Sequence, residues 1–222
     1  YQGSLNKGAA PAARSISLYF AVQAAELEYQ PGWPALTEAA GEVLIEDSGV
    51  RIGIERGLIL NTSVASAYAE IAHQGGQPPE LQLHAELQSS VADGLHILQK
   101  TPLSKTADSF ANWSGQGQLP ATLDALIPLH AGQSPEVNLQ LHAHDIELNI
   151  PDINIELRQL RGEFVFNSKQ GLSAKTLSGQ FLEQRFSGSI EAQGRNGNLR
   201  THLDVTGLMP LVALTRWADI KQ

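Results

Sequence analysis

The chain of 222 residues contains no cysteine. That absence excludes disulfides, cysteine-ligated zinc and thiol chemistry, and leaves the redox compartment open. Positive charge is also scarce: 15 Lys and Arg stand against 23 Asp and Glu, a net charge of −8, and the basic residues are scattered singly. Nucleic acid is therefore not an expected partner, because phosphate binding needs clustered cations. An electrostatic footprint for anionic membranes is missing for the same reason. No apolar run approaches the roughly 18 residues of a membrane helix, so this stretch carries no transmembrane segment. Nor does a basic region followed by an apolar core follow Tyr1, so no signal peptide is visible. The chain reads as a piece of something longer, with any targeting segment outside it.

What the sequence does have is alternation. Ile16, Leu18, Phe20 and Val22 form one apolar set at every second position; Leu81, Leu83, Ala85 and Leu87 form another; Val137, Leu139, Leu141 and Ala143 form a third. Shorter sets occur at Val43 and Ile45, at Ile52 and Ile54, from Ile153 to Leu157, at Phe164 and Phe166, and from Leu199 to Val205. A period of two places each set on one face of a strand. The segments EDSG, HQGGQPP, NSKQG and QGRNGN punctuate the runs, which predicts hairpins and meanders, hence a mostly antiparallel sheet.

In VNLQLHAHDIELNI, residues 137–150, the alternation slips by one at His144 and Asp145, then resumes at Ile146, Leu148 and Ile150. One extra residue that restores the facing predicts a β-bulge. The same slip occurs at Ala24 and Ala25. These slips belong to an internal repeat: a shift of 121 lays residues 16–46 on residues 137–167, Ile16 on Val137, Leu27 on Leu148, Gly41 on Gly162. Leu81–His84 matches Leu199–His202 at a slightly smaller shift. The expected organisation is one continuous β segment over 1–222, in two related copies at about 3–112 and 117–222. Each copy closes with a short helix, one around Val91, Leu95, Ile97 and Leu98 that Pro102 ends, the other from Leu208 to Trp217. The least regular stretch, Ser104 to Pro135, holds one strand near Leu123 to Pro128.

Candidate reaction centres weaken on inspection. His142 and His144 project to one face of a strand with Asp145 beside them, as zinc ligands could. They align with Ala21 and Gln23 in the other copy, so the repeat assigns them to the solvated face, and no metal site is expected. Glu147, Asp152 and Glu156 could suggest a glycosidase pair, but chemistry needs one carboxyl desolvated, and all three fall on the polar side of the alternation. No G-x-S-x-G elbow or phosphate loop is present. No catalytic residue, cofactor or enzymatic activity is expected. Trp33, Trp113 and Trp217 are read as packing anchors.

The collective feature is a dry face. About a dozen strands each offer apolar residues to one side, and two short helices cannot roof a sheet that runs roughly 55–60 Å at 4.8 Å per strand. Either the sheet folds over on itself, or it curls into a trough with an apolar wall available for binding. LEYQPGWPALTEAAGEVLIEDSGVRI, DGLHILQKTPL, NIELRQLRGEFVFNSKQGLSA and GQFLEQRFSGSIEAQG resemble the YhdP branch of the AsmA-like proteins of Gram-negative bacteria, from about residue 16 onward. That resemblance implies an all-β fold with a few short helices: a long curled, mostly antiparallel sheet forming an open apolar groove, or β-taco. It also implies a periplasmic location, in a protein anchored in the inner membrane and reaching toward the outer membrane, and phospholipid as the partner, with acyl chains in the groove. Alternation then nominates Leu18, Phe20, Val22, Leu27, Val43, Ile45, Leu139, Leu141, Leu148, Ile150, Phe164 and Phe166 as the lipid-facing wall. The competing reading is a non-catalytic β scaffold or interaction module with a self-closed core. Edge-to-edge self-association is a further expectation for a sheet with open edges.

Overall fold

A computed structural model describes residues 2–3, 14–15, 17–28, 33–72, 78–100, 112–130, 133–193 and 200–219. Ile16, Tyr29, residues 30–32 and Leu199 lie outside the described residues. Two short strands, β1 (Gln2–Gly3) and β2 (Arg14–Ser15), pair with each other. The main sheet begins with β3 (Ser17–Leu27), β4 (Leu36–Glu46), β5 (Gly49–Ile59), β6 (Thr62–Ala72) and β7 (Glu80–Gln88), followed by helix α1 (Val91–Lys100). After β8 (Ser114–Gln116) and β9 (Ala121–Pro128) come β10 (Glu136–Ile150), β11 (Ile155–Asn167), β12 (Gly171–Phe181), β13 (Gln184–Gln193), β14 (Arg200–Gly207) and helix α2 (Leu211–Asp219).

These strands form one twelve-stranded sheet in the order β14-β13-β12-β11-β10-β9-β7-β6-β5-β4-β3, with β8 on β10. Every pairing is antiparallel, and the sheet curls without closing. The molecule exposes 14875 Å², where a compact monomer of its mass exposes about 9,900 Å². Leu18, Phe20, Leu203 and Val205 stay exposed on the apolar face, so no second layer covers it at those strands.

Directly paired residues share a face, so the register sorts the side chains. Leu18, Phe20 and Val22 pair with Ile45, Val43 and Gly41; Val43 and Ile45 pair with Ile52 and Val50; Ile52 and Val50 with Ala69 and Ile71; these with Leu83 and Leu81, and those with Ala125 and Ile127. The same face continues through Val137 and Leu139 on β10, Phe164 and Phe166 on β11, Leu172 and Leu177 on β12, Gly188 and Ile190 on β13, and Val205 and Leu203 on β14. No charged residue occupies a paired position on this face. Thr62, a polar interruption, is buried and shares a 2.8 Å hydrogen bond with Ser89.

Bulges keep long strands facing one way. The slip at Asp145 is a register shift between Ala143 and Ile146, with Asp145 at φ 57°. Its counterpart is a shift between Val22 and Ala25, with Ala24 at φ 50°. Glu38 and Gln159, on the partner strands, likewise adopt φ 52° and 49°. Each inserts a residue and tightens the local twist. Beside the Ala24 bulge the strands approach so closely that a Cβ on Gly41 would lie 2.0 Å from the Gly53 carbonyl oxygen; only glycine fits there.

Two expectations need correction. Ile153 is not strand: it sits with Pro151 and Asp152 in a 3-10 turn, closed by Asn154 at φ 50°. And His202 is not the counterpart of His84. Val205 and Leu203 pair with Gly188 and Ile190 as Ala85 and Leu83 pair with Ala67 and Ala69, so the position matching His84 is Asp204. The sequence match Leu81–His84 with Leu199–His202 was two residues out of register.

Two clusters hold the sheet's bends. Leu36, Ala39 and Val64 are buried in the first, with Ala25, Ile54, Ile59, Ala67 and Leu87 against them. The second is built on a helix. Val91 of α1 is buried with Ala143, Ile146, Leu160, Ala174 and Leu177, flanked by Leu95, Leu148, Leu157, Phe164 and Phe186. Ser90 starts that helix: its Oγ accepts a hydrogen bond from the Asp93 amide at 3.1 Å and donates to the Asp93 carboxylate at 2.6 Å, satisfying a donor the helix leaves open.

Candidate functional site

All twelve nominated wall residues lie on the apolar face, in two groups that the sheet does not bring together. Leu18, Phe20, Val22 and Leu27 with Val43 and Ile45 occupy the β3–β4 end. Leu139, Leu141, Leu148 and Ile150 with Phe164 and Phe166 occupy the β10–β11 hairpin, where Leu139 pairs with Phe166 and Leu141 with Phe164. Leu18, Phe20 and Leu27 are exposed, while Ile150 is buried. Val22, Val43, Ile45, Leu139, Leu141 and Phe166 are half-buried. Leu148 and Phe164 are half-buried and pack against the cluster that includes Val91 of α1.

Between the two groups the face is continued by residues not nominated: Val50, Ile52, Ile54, Ala69, Ile71, Leu81, Leu83, Leu123, Ala125 and Ile127. On the far side Leu172, Phe186, Ile190, Leu203 and Val205 extend it. The same period-two signal marks most of these. Across the about ten spacings from β3 to β14 the apolar path measures roughly 50 Å.

The opposite face carries the charge. Arg161 forms a bidentate pair with Asp145, at 2.6 and 2.8 Å, across the β10–β11 bulge. Arg158 bonds Glu156 at 2.7 Å, Arg51 bonds Glu46 at 3.0 Å, and Lys169 bonds Glu136. Such exposed pairs contribute little each, but together they mark this face as the solvated one. His142 lies 3.9 Å from Glu163 and His144 lies 3.5 Å from Asp145, all exposed. Among the described residues no group of three or more His, Asp or Glu is arranged to hold a metal ion. His84 Nδ1 sits 2.7 Å from Asp124 Oδ1, and that hydrogen bond, helped by the charges of Asp124 and Glu86, raises the imidazole pKa above its ordinary value.

The three carboxylates with a conceivable catalytic role are scattered. Glu147 lies opposite Gln116 on β8; Asp152 accepts a 2.9 Å hydrogen bond from Asn112; Glu156 is held by Arg158. All are exposed. At the far end Trp217 meets Phe181 edge to face at 5.8 Å and donates to the Asn154 carbonyl at 2.8 Å, which fixes α2 over the end of β12. Trp33 and Trp113 are half-buried. No described helix is long and apolar enough to cross a membrane.

The arrangement can hold something apolar along a line, and it offers the described residues no converging acid, base or nucleophile. No curated protein and no solved structure matches the chain. One family model does, described as "YhdP protein", and it matches residues 1–221. A one-sided open sheet and a family match over essentially its whole length together show that the chain belongs to the YhdP family, AsmA-like proteins with a lipid-transport role at the level of the family.

Proposed function

We propose that this chain is a segment of a lipid conduit, in which the curled apolar face shields phospholipid acyl chains between the inner and outer membranes of a Gram-negative cell. The observation that carries the reading is the apolar face that crosses the whole sheet, interrupted at the buried Thr62 but free of charge at every described paired position, and roofed by a described helix only beside α1 and α2. Water makes an exposed acyl chain costly, at about 0.8 kcal/mol per methylene. A continuous apolar wall removes most of that cost without a deep minimum at any one point. Repeated shallow contacts suit movement along the wall, while a headgroup stays in water at the open seam, so no basic cluster is required. In this reading the whole protein lies in the periplasm, held by an inner-membrane anchor, and needs no cofactor.

The test uses photo-crosslinking residues at Phe20, Leu141 and Phe166 on the apolar face and at Gln140 and His142 on the solvated one. Phospholipid should label the first set and not the second, and mass spectrometry of lipid extracted from the purified chain should identify the species. Equal labelling of both sets, or no co-purifying lipid, would refute the reading.

A further inference from the structure

The strand ends form two long margins, and the two are unlike. One margin carries the turns at 46–49 and 167–171; the other carries those at 59–62, 150–155 and 181–184, together with α1 and α2. On the half of the apolar face next to the second margin, Leu36, Val64, Ala121, Ile146, Leu160 and Leu177 are buried. Leu27 and Val205 are exposed there, on β3 and β14, the outermost described strands. The half next to the first margin is open. Leu18 and Leu203 are 51% and 54% exposed, Ile45, Val50, Ile127 and Phe166 are half-buried, and no large apolar side chain described on that half is buried.

Hydrogen bonds repeat the asymmetry. Each described turn of the second margin that bonds elsewhere is tied to a helix or to a segment that crosses toward it. Asn61 donates to Asp93 of α1 at 3.1 Å, and the buried Thr62 shares its bond with Ser89, just before that helix. Asp152 accepts from Asn112, and the Asn154 carbonyl accepts from Trp217 of α2. On the first margin the turn at 167–171 bonds only to the strand beside it: Ser168 Oγ accepts from the Val137 amide at 3.0 Å, and Lys169 pairs with Glu136. One margin is stitched shut over a packed floor. The other leaves its apolar rows facing water.

We infer that phospholipid headgroups leave the groove along the first margin, past the turns at 46–49 and 167–171, and that the helix-bearing margin is a closed floor no headgroup crosses. The inference rests on the lipid reading and adds an orientation to it. Acyl chains can lie only on wall that the protein has not already packed, which is the half ending at Leu18, Ile45, Val50 and Phe166. A phosphate and its partner charge are far too costly to dehydrate to pass between Val64, Ile146 and Leu177. The headgroup therefore stays on the side of the chains that water reaches.

The chain has no cysteine, so single thiols can report where a headgroup lies. Ser48→Cys and Gln170→Cys mark the first margin, and Asn61→Cys and Glu183→Cys the second; all four positions are exposed. Circular dichroism checks the fold of each. The purified variants are loaded with phosphatidylethanolamine carrying a maleimide on its headgroup, and adducts are counted by mass spectrometry. Reaction with soluble N-ethylmaleimide corrects for the intrinsic reactivity of each thiol. The expected corrected yield is at least about tenfold higher at Ser48→Cys and Gln170→Cys, because a bound headgroup is held at high effective concentration only beside its own margin. Lipid that comigrates with the chain but reacts equally at both margins, or more at the second, overturns the orientation and leaves the conduit reading standing. No comigrating lipid overturns the conduit reading, and the orientation with it.

Discussion

Replacing Ile146 by Ala separates the part of the apolar face that is core from the part that is open wall. Ile146 is 5% exposed, under α1 among Val91, Ala143, Leu160 and Leu177. The substitution deletes three carbons, a transfer loss of about 2.4 kcal/mol at about 0.8 kcal/mol per buried methylene. Because the helix holds the site closed, a cavity remains and raises the cost to about 3–4 kcal/mol. Leu203, on the same face of β14, is 54% exposed. Leu203→Ala deletes as many carbons, but they are half in water already and leave no enclosed void, so the cost is about 1 kcal/mol. With a urea slope of about 2–3 kcal/mol per molar, Ile146→Ala lowers the denaturation midpoint by more than about 1 M and Leu203→Ala by less than about 0.5 M. The assay is urea titration followed by circular dichroism. Equal losses at the two positions would refute the idea that α1 makes a core of one stretch and leaves the rest as surface.

Three further outcomes follow from the geometry. Gly41→Val destabilises at or above the upper end of the about 1–3 kcal/mol range for overpacking, because its Cβ has no room beside the Gly53 carbonyl; Gly53→Ala, whose Cβ would meet nothing nearer than Glu42 Cγ at 3.5 Å, changes the urea midpoint little. Ser90→Ala costs about 1 kcal/mol by removing the α1 cap, while Ser90→Asp restores most of it, as read by the same titration. His84 has a folded pKa raised chiefly by its bond to Asp124, so its contribution is full below the unfolded value near about 6.5 and is lost as pH rises through the higher folded value. Asp124→Asn therefore flattens the pH dependence of the urea midpoint above about pH 6.5; being half exposed, the pair makes this slope shallow.

The sequence carried the sheet well and the helices' surroundings poorly. Alternation gave the facing of Leu18, Phe20, Leu139 and Phe166 because side-chain direction along a strand depends only on odd or even position. It also located the bulge at Asp145, where the pattern breaks and recovers. It failed where its own symmetry hides the error. Matching His202 to His84 slipped the register by two, and a two-residue slip leaves every side chain on its correct face. Ser114–Gln116, in the irregular stretch credited with one strand near Leu123 to Pro128, turned out to be β8, whose pairing with β10 depends on a partner distant in sequence. The seat of α1 on Ile146 and Leu160 was equally hidden: the helix was legible from Val91, Leu95 and Ile97, but a contact between surfaces of the same composition leaves no local mark. For that reason nothing in the sequence marked the buried cluster against which Leu148 and Phe164 pack.

The strand order has a consequence for how such a chain comes together. Apart from β7 with β9 and β8 with β10, every pair in the main sheet joins neighbours in sequence, so each ladder closes a short loop at a small and similar entropic cost. A finished hairpin presents an edge on which the next can form, and none of the early strands waits for the last. Assembly can therefore run from one end as chain is supplied, with each addition stabilised mainly by its nearest neighbours, as in other quasi-one-dimensional architectures. Removing β13, β14 and α2 should then leave the ladders from β3 to β12 intact, whereas in a two-layer sandwich losing two strands would uncover the core of all the others.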